Sequence, residues 1–143
     1  MTSTAERAAM LSRALRAAIE GDDSAIKDIC TDDITAWTPA LSTTSRDELM
    51  AEIARRDDAF SDVQLDLTPL EVGGEYACAE WTVTMRHTGP LALAEGATVD
   101  ATDAQVTLHG VTVAEFRGEQ ICSLRQYWDE LTVFEQLGLL AEQ

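Results

Sequence analysis

The chain has 143 residues, 45% of them hydrophobic and 25% charged, and its 10 basic and 26 acidic residues give a net charge of −16. This length suits one domain, so residues 1–143 are expected to fold as a single unit. The negative charge would repel nucleic-acid phosphates and anionic lipid headgroups, so neither nucleic acid nor a membrane is an expected partner. No stretch approaches the roughly 18 apolar residues of a membrane-spanning helix, and we expect a soluble cytoplasmic protein.

Cysteine and histidine spacing argues against a metal or redox centre. The three cysteines, Cys30, Cys78 and Cys122, are odd in number and form no CxxC pair. The two histidines, His87 and His109, lack the short HxH or HxxxH spacing of metal ligands. We therefore expect reduced thiols, no disulfide, no metal and no cofactor.

Three helices are predicted before the sheet. The first begins at Ser3 or Thr4 and ends at the "GDD" of 21–23, and a short second helix covers 24–30. The run "DDITAWTP" indicates a brief strand that stops at Pro39. The third helix begins at Ser45, where "SRDE" has the S-x-x-E pattern of a capping box.

Four longer strands follow. The runs "VQLDLTPLEV", "EYACAEWTVTMRH", "AQVTLHGVTVAEF" and "ICSLRQYW" alternate or are rich in β-branched residues, and "ELTVFEQLGLL" then turns helical. Helices grouped before a mostly antiparallel sheet predict an α+β fold rather than alternating β-α-β units. The long loop at 88–103 is of the kind that often serves as a lid or a binding segment.

This order of elements, with "HTGPL" after the second long strand and "RQYWDELTVFEQLGLL" at the end, resembles the SnoaL-like branch of the nuclear transport factor 2-like superfamily. The resemblance implies a cone in which helices and a curved sheet enclose a deep pocket, and a homodimer formed through the sheet. Relatives include polyketide cyclases, which use an aspartate as general acid and base, and limonene-epoxide-hydrolase-like enzymes, which use an Asp/Arg/Asp set to activate water. It therefore implies a hydrophobic small molecule as partner.

The last strand leaves open which residue faces that pocket. Strand alternation puts Gln126 and Trp128 on the more apolar face, which we assign to the pocket. Asp129 is the residue that the resemblance makes catalytic, but an aspartate at a strand-to-helix junction is commonly a helix N-cap. Glutamine at 126 cannot transfer a proton at neutral pH, although it can hydrogen-bond a carbonyl or orient a water.

The second long strand supplies further candidates. Trp81, Met85 and His87 share one face, and Arg86 lies on the other. His87 matches the histidine of the family's "HTG" turn, where it could hold a substrate oxygen or move a proton, or could simply tie the strand end to the loop. Arg86 could pair with a carboxylate, but Thr88 stands where the Asp/Arg/Asp set would need an acid.

Aromatic residues and a second histidine complete the candidate site. Trp37, Trp81 and Trp128 lie on three predicted strands and could line a pocket for a planar molecule or serve as core packing; Trp37 is expected to lie beneath the helices. His109 is either a binding residue or part of a cross-strand pair. Two hypotheses remain: a cofactor-independent enzyme that uses acid and base chemistry on a hydrophobic, oxygenated molecule, and a non-catalytic ligand-binding or dimerising module.

Overall fold

The computed structural model of the chain describes residues 3–40, 42–92 and 96–139. Within these ranges four helices and eight strands form in the order α1 (Thr4–Glu20), α2 (Asp23–Ile29), β1 (Cys30–Trp37), β2 (Ser42–Thr43), α3 (Arg46–Ala59), β3 (Phe60–Leu70), β4 (Tyr76–His87), β5 (Leu91–Ala92), β6 (Thr98–Val99), β7 (Gln105–Arg117), β8 (Gln120–Trp128) and α4 (Glu130–Gln136). The last helix was expected to run to Leu140, but it ends at Gln136; Leu140 itself lies outside the described residues. The short strands β5 and β6 pair within the 88–103 loop.

The helices begin where side chains can accept hydrogen bonds from free backbone amides. Ser3, Asp22 and Ser45 cap α1, α2 and α3, and each accepts from an N–H three residues later. In the capping box of α3, the Glu48 carboxylate reaches back to the backbone N–H and hydroxyl of Thr44 rather than to Ser45 N–H. The predicted helix starts are thus confirmed, with their local causes.

Six strands form one sheet in the order β2-β1-β8-β7-β4-β3. All neighbouring pairs are antiparallel except β1 and β8, which are parallel. The predicted α+β class is confirmed. Pro69, which cannot donate a backbone hydrogen bond, is tolerated because β3 is an edge strand. This strand begins at Phe60, earlier than the predicted Val63.

Helices cover one face of the sheet, which we call the inner face. Helix α1 packs mainly on β3 and β4, α3 mainly on β1 and β3, and α4 on β7. A register shift between β7 and β8 at Cys122 lets Ile121 and Leu124 both enter the core, although they are three residues apart. None of the helices in the described ranges is long and apolar enough to span a membrane.

The "HTG" turn joins the sheet to the end of α3. The backbone N–H groups of Thr88 and Gly89 both donate to the carbonyl oxygen of Ala59. A Cβ atom on Gly89 would overlap the carbonyl oxygen of Asp58 and lie 3.1 Å from its carbonyl carbon. Glycine is therefore required at this position by the close approach of two backbones.

Candidate functional site on the inner face

The middle of the inner face carries two tryptophans, a threonine and a glutamine. Trp81 and Trp128 lie in one row of the sheet on either side of Gly110, and Thr112 and Gln126 pair directly in the next row. The two indole rings meet edge to face, with centroids 6.1 Å apart. Trp81 Nε1 donates to the Thr112 hydroxyl at 2.9 Å, so the buried polar atoms of this pair are satisfied.

Gly110 makes room for the Trp81 ring. A Cβ atom at this position would lie 2.5 Å from ring atom Cη2 of Trp81 and 2.7 Å from the carbonyl oxygen of Tyr127. The pairing of β4 with β7 continues through Gly110 without a register shift. The glycine therefore marks a close approach of side chain to backbone, and not a bulge.

The surface around Gln126 and Trp128 is incompletely covered by helices. Both side chains are half-buried, although they lie on the inner face. From α3, Leu49, Met50 and Ile53 pack against the core but also remain half-buried. We call the half-open surface formed by Gln126 and Trp128, with the buried Trp81 and Thr112 beside them, the inner groove. Within the described residues the Gln126 amide forms no hydrogen bond, so its donor and acceptor are available to a ligand.

Asp129 does not enter the inner groove. Its carboxylate accepts a hydrogen bond from Leu131 N–H at 3.0 Å, which makes it the N-cap of α4, and its side chain is exposed. Glu130, which the sequence analysis did not single out, is instead half-buried and accepts a 2.6 Å hydrogen bond from Trp128 Nε1. The carboxylate that touches the groove is thus one residue farther along the chain.

His87 lies at the far end of β4, away from the inner groove, and is fully buried. Its Nδ1 accepts from the backbone N–H of Thr102 at 3.2 Å and lies 2.9 Å from the Thr102 hydroxyl. Because a backbone N–H can only donate, Nδ1 is unprotonated and the neutral ring carries its proton on Nε2. Nε2 has no hydrogen-bond partner among the described residues, and the Phe60 ring packs against the imidazole at 5.4 Å. His87 therefore ties the strand end to the 88–103 loop.

Trp37, Arg86 and His109 lie on the outer face of the sheet. Trp37 is therefore not beneath the helices, which corrects that expectation, whereas Arg86 is on the face opposite Met85 as expected and His109 has a cross-strand partner. Trp37 follows the inward-facing Ala36 and packs on Tyr127 at 5.2 Å, outside the sheet. Arg86 contacts Asp103, and His109 Nδ1 lies 3.0 Å from the Thr82 hydroxyl. Alternation along each strand directs all three away from the helices.

Met85 is on the inner face, as expected, but it is buried in the second core cluster with its cross-strand neighbour Val106. It also lines a depression of about 400 Å³ beside the bulge of β3. A second depression, of about 600 Å³, lies at the opposite end of the sheet, where Arg46 and Arg117 each pair with an aspartate. Neither depression is lined by Trp81, Gln126 or Trp128, which were expected to line the deep pocket.

The described residues contain no group of three or more His, Cys, Asp or Glu side chains that could hold a metal ion. Cys30 is buried in the core, and this burial raises the pKa of its thiol to about 11. A protonated, buried thiol is a poor nucleophile, so Cys30 is a packing residue.

A curved, mostly antiparallel sheet with helices over one face defines the nuclear transport factor 2 and ketosteroid isomerase class of α+β folds. The chain belongs to the SnoaL-like domain family, whose model matches residues 11–124. No protein of curated function matches the sequence.

Solved structures of the same fold cover nearly the whole chain. A proposed polyketide cyclase from Xanthomonas campestris has a TM-score of 0.79 at 21% identity, covering 94% of this chain and 99% of its own. AclR, a proposed hydroxylase from Streptomyces galilaeus, has a TM-score of 0.78 at 23% identity, covering 99% and 86%. An epoxide hydrolase of the limonene epoxide hydrolase type from M. tuberculosis has a TM-score of 0.70 at 14% identity, covering 93% and 90%. At these identities the likeness establishes the fold.

Proposed function

We propose that this chain binds a hydrophobic, oxygenated small molecule in the inner groove. Trp128, backed by Trp81, packs against the apolar body of the ligand, and the Gln126 amide hydrogen-bonds to its oxygen. The observation that carries the proposal is the amide of Gln126, a half-buried residue, which has no partner among the described residues and stands beside the half-buried Trp128. A polar group of this kind, set in an apolar surface, fixes the orientation of a bound molecule.

Binding by Gln126 requires no proton transfer, so the binding-module hypothesis fits this site directly. Asp129, the expected acid, is exposed and occupied as a helix cap. The enzyme hypothesis, with cyclase, isomerase or hydrolase chemistry on the same molecule, draws its support from the family and from the proposed activities of its structural neighbours. It needs a proton-transferring group other than Asp129 in the groove.

The three tryptophans provide the test, because Trp128 lies in the groove, Trp81 is in ring contact with it, and Trp37 lies on the outer face. In a ¹H–¹⁵N spectrum, titration with 2-acetylnaphthalene, a planar ketone, should shift the indole cross-peaks of Trp81 and Trp128 and leave that of Trp37 in place. Gln126→Leu should weaken this binding by about fivefold, the value of one hydrogen bond. Shifts confined to Trp37, or no shifts at all, would contradict the proposal.

Turnover is tested separately from binding. Candidate ligands that bind are incubated with the protein for a day and recovered by chromatography. Unchanged recovery supports the binding module, whereas a product that forms with wild type and Asp129→Asn alike supports an enzyme whose acid is a different residue.

We also propose that the outer face pairs with a second copy of the chain. Trp37, Tyr76 and Tyr127 are 44%, 40% and 47% exposed on one sheet face, a concentration of aromatic surface typical of interfaces. Since each copy carries a net charge of −16, added salt should favour the dimer. Sedimentation of wild type and Tyr127→Asp at two salt concentrations tests this, and equal behaviour of the two proteins would refute it.

A further inference from the structure

Glu130 is a carboxylate without a cation. It is half-buried at the edge of the inner groove, and its one side-chain hydrogen bond comes from Trp128 Nε1 at 2.6 Å. None of the five ion pairs among the described residues includes it. The second carboxylate oxygen remains free to meet a ligand.

Aromatic surface lies beside this charge. Trp128, whose N–H is bound to Glu130, presents its indole on the inner face, with Trp81 behind it. Indole faces attract cations through the ring quadrupole, and the attraction strengthens where water is partly excluded. The net charge of −16 adds a long-range attraction for positively charged molecules.

From this arrangement we infer that the inner groove selects ligands that carry a protonated amine, with the ammonium group held between the Glu130 carboxylate and the Trp128 ring. The inference rests on the proposed function and deepens it, because it names the charge of the ligand. The oxygen function is bound by Gln126, two residues before Trp128 on the same face, and the amine is bound by Glu130.

A matched pair of probes separates a cation from a neutral hydroxyl donor. 1-Naphthylmethylamine is positively charged at pH 7, and 1-naphthalenemethanol has the same ring and a hydroxyl group in place of the amine. If the carboxylate and indole act as described, the amine should bind wild type about fivefold more tightly than the alcohol. Binding is followed by the indole cross-peaks of Trp81 and Trp128, with Trp37 as the internal control.

Glu130→Gln is the decisive variant, and Glu135→Gln is its control. Glutamine at 130 can still accept from Trp128 Nε1, so the fold and the indole position are retained while the charge is removed. Glu135 is exposed on the same helix, so its substitution produces the same change in net charge away from the groove. Glu130→Gln should reduce the preference for the amine to within about twofold, and Glu135→Gln should leave it at about fivefold.

The outcomes distinguish this inference from the proposed function. If both probes shift Trp81 and Trp128 but bind wild type equally, or if the two variants behave alike, the groove binds ligands and the assignment of Glu130 is wrong. If neither 2-acetylnaphthalene nor either naphthylmethyl probe shifts the groove tryptophans, the proposed function fails and the inference fails with it.

Discussion

Replacing Gly110 by alanine should dislodge the Trp81 indole on which the inner groove is built. The added methyl group would lie within 2.5 Å of the ring and 2.7 Å from a carbonyl oxygen on β8. The ring is enclosed, since Trp81 is 7% exposed, and the carbonyl belongs to a paired strand. Moving either of them away from the new methyl group therefore costs free energy. Overpacking of this kind costs about 1–3 kcal/mol.

Displacing the ring also breaks the hydrogen bond from Trp81 Nε1 to the Thr112 hydroxyl, which is fully buried. Leaving that pair unsatisfied adds about 1 kcal/mol. The total is about 2–4 kcal/mol, or a decrease in Tm of roughly 10 °C for a domain of this size. The same substitution should change the Trp81 indole cross-peak and weaken binding of 2-acetylnaphthalene.

Chemical denaturation measures the loss of stability, with Gly73→Ala as the control because a Cβ atom there meets nothing within 4 Å. Combining Gly110→Ala with Trp81→Leu should recover part of the cost, since the smaller side chain leaves space for the methyl group. A Gly110→Ala protein within about 0.5 kcal/mol of the Gly73→Ala protein would refute the packing argument.

Three further outcomes follow from named contacts. The Arg117 guanidinium holds the pKa of Asp33 at about 2, below its ordinary value of 3.8. The stabilisation from this ion pair is therefore present above pH 4 and is lost as the pH falls toward 2. In Arg117→Gln, the pKa of Asp33 measured by NMR should return toward 3.8. Asp129→Ala should cost about 1 kcal/mol in denaturation through loss of the α4 cap, whereas Asp129→Asn should cost much less, and equal losses would contradict the capping role. Thr102→Val removes the hydroxyl that bonds His87, so it should lower the free energy of unfolding by about 1 kcal/mol and speed hydrogen exchange at the amides of Asp103 and Ala104. Unchanged exchange would show that the loop is held by other contacts.

The helices were predictable because their causes are local. Ser3, Asp22 and Ser45 each satisfy an amide three residues away, and no distant part of the chain is needed for that contact. The sheet class was predictable for a similar reason, since strands that follow one another pair as neighbours. The match to the family model ends at Leu124, so the terminal run that suggested the family lies beyond the matched segment.

Faces were harder to predict than elements. Both faces of β7 carry apolar residues, Leu108 on the inner face and Val111 and Val113 on the outer, so alternation alone could not show which side His109 takes. For Trp37 the strand pattern was sufficient. Ile34 and Ala36 take the buried face of β1, and Trp37 comes directly after Ala36, so its side chain lies on the opposite, outer face. The partly apolar outer face also explains why three tryptophans on three strands do not line one pocket.

The acid beside the inner groove is Glu130 rather than the expected Asp129, and the reason is that the strand ends and the helix begins at these two residues. An N-cap residue needs its side-chain oxygen for the first free amide, and Asp129 uses its carboxylate on Leu131 N–H. The next residue is already helical, and helical side chains tilt toward the N-terminus of the helix, which directs Glu130 back over Trp128. Sequence alone shows two adjacent acids with no reason to prefer the second. Because the Asp129 carboxylate caps α4, only the Glu130 carboxylate remains for a ligand. We therefore expect substitutions at 129 to change stability and substitutions at 130 to change binding.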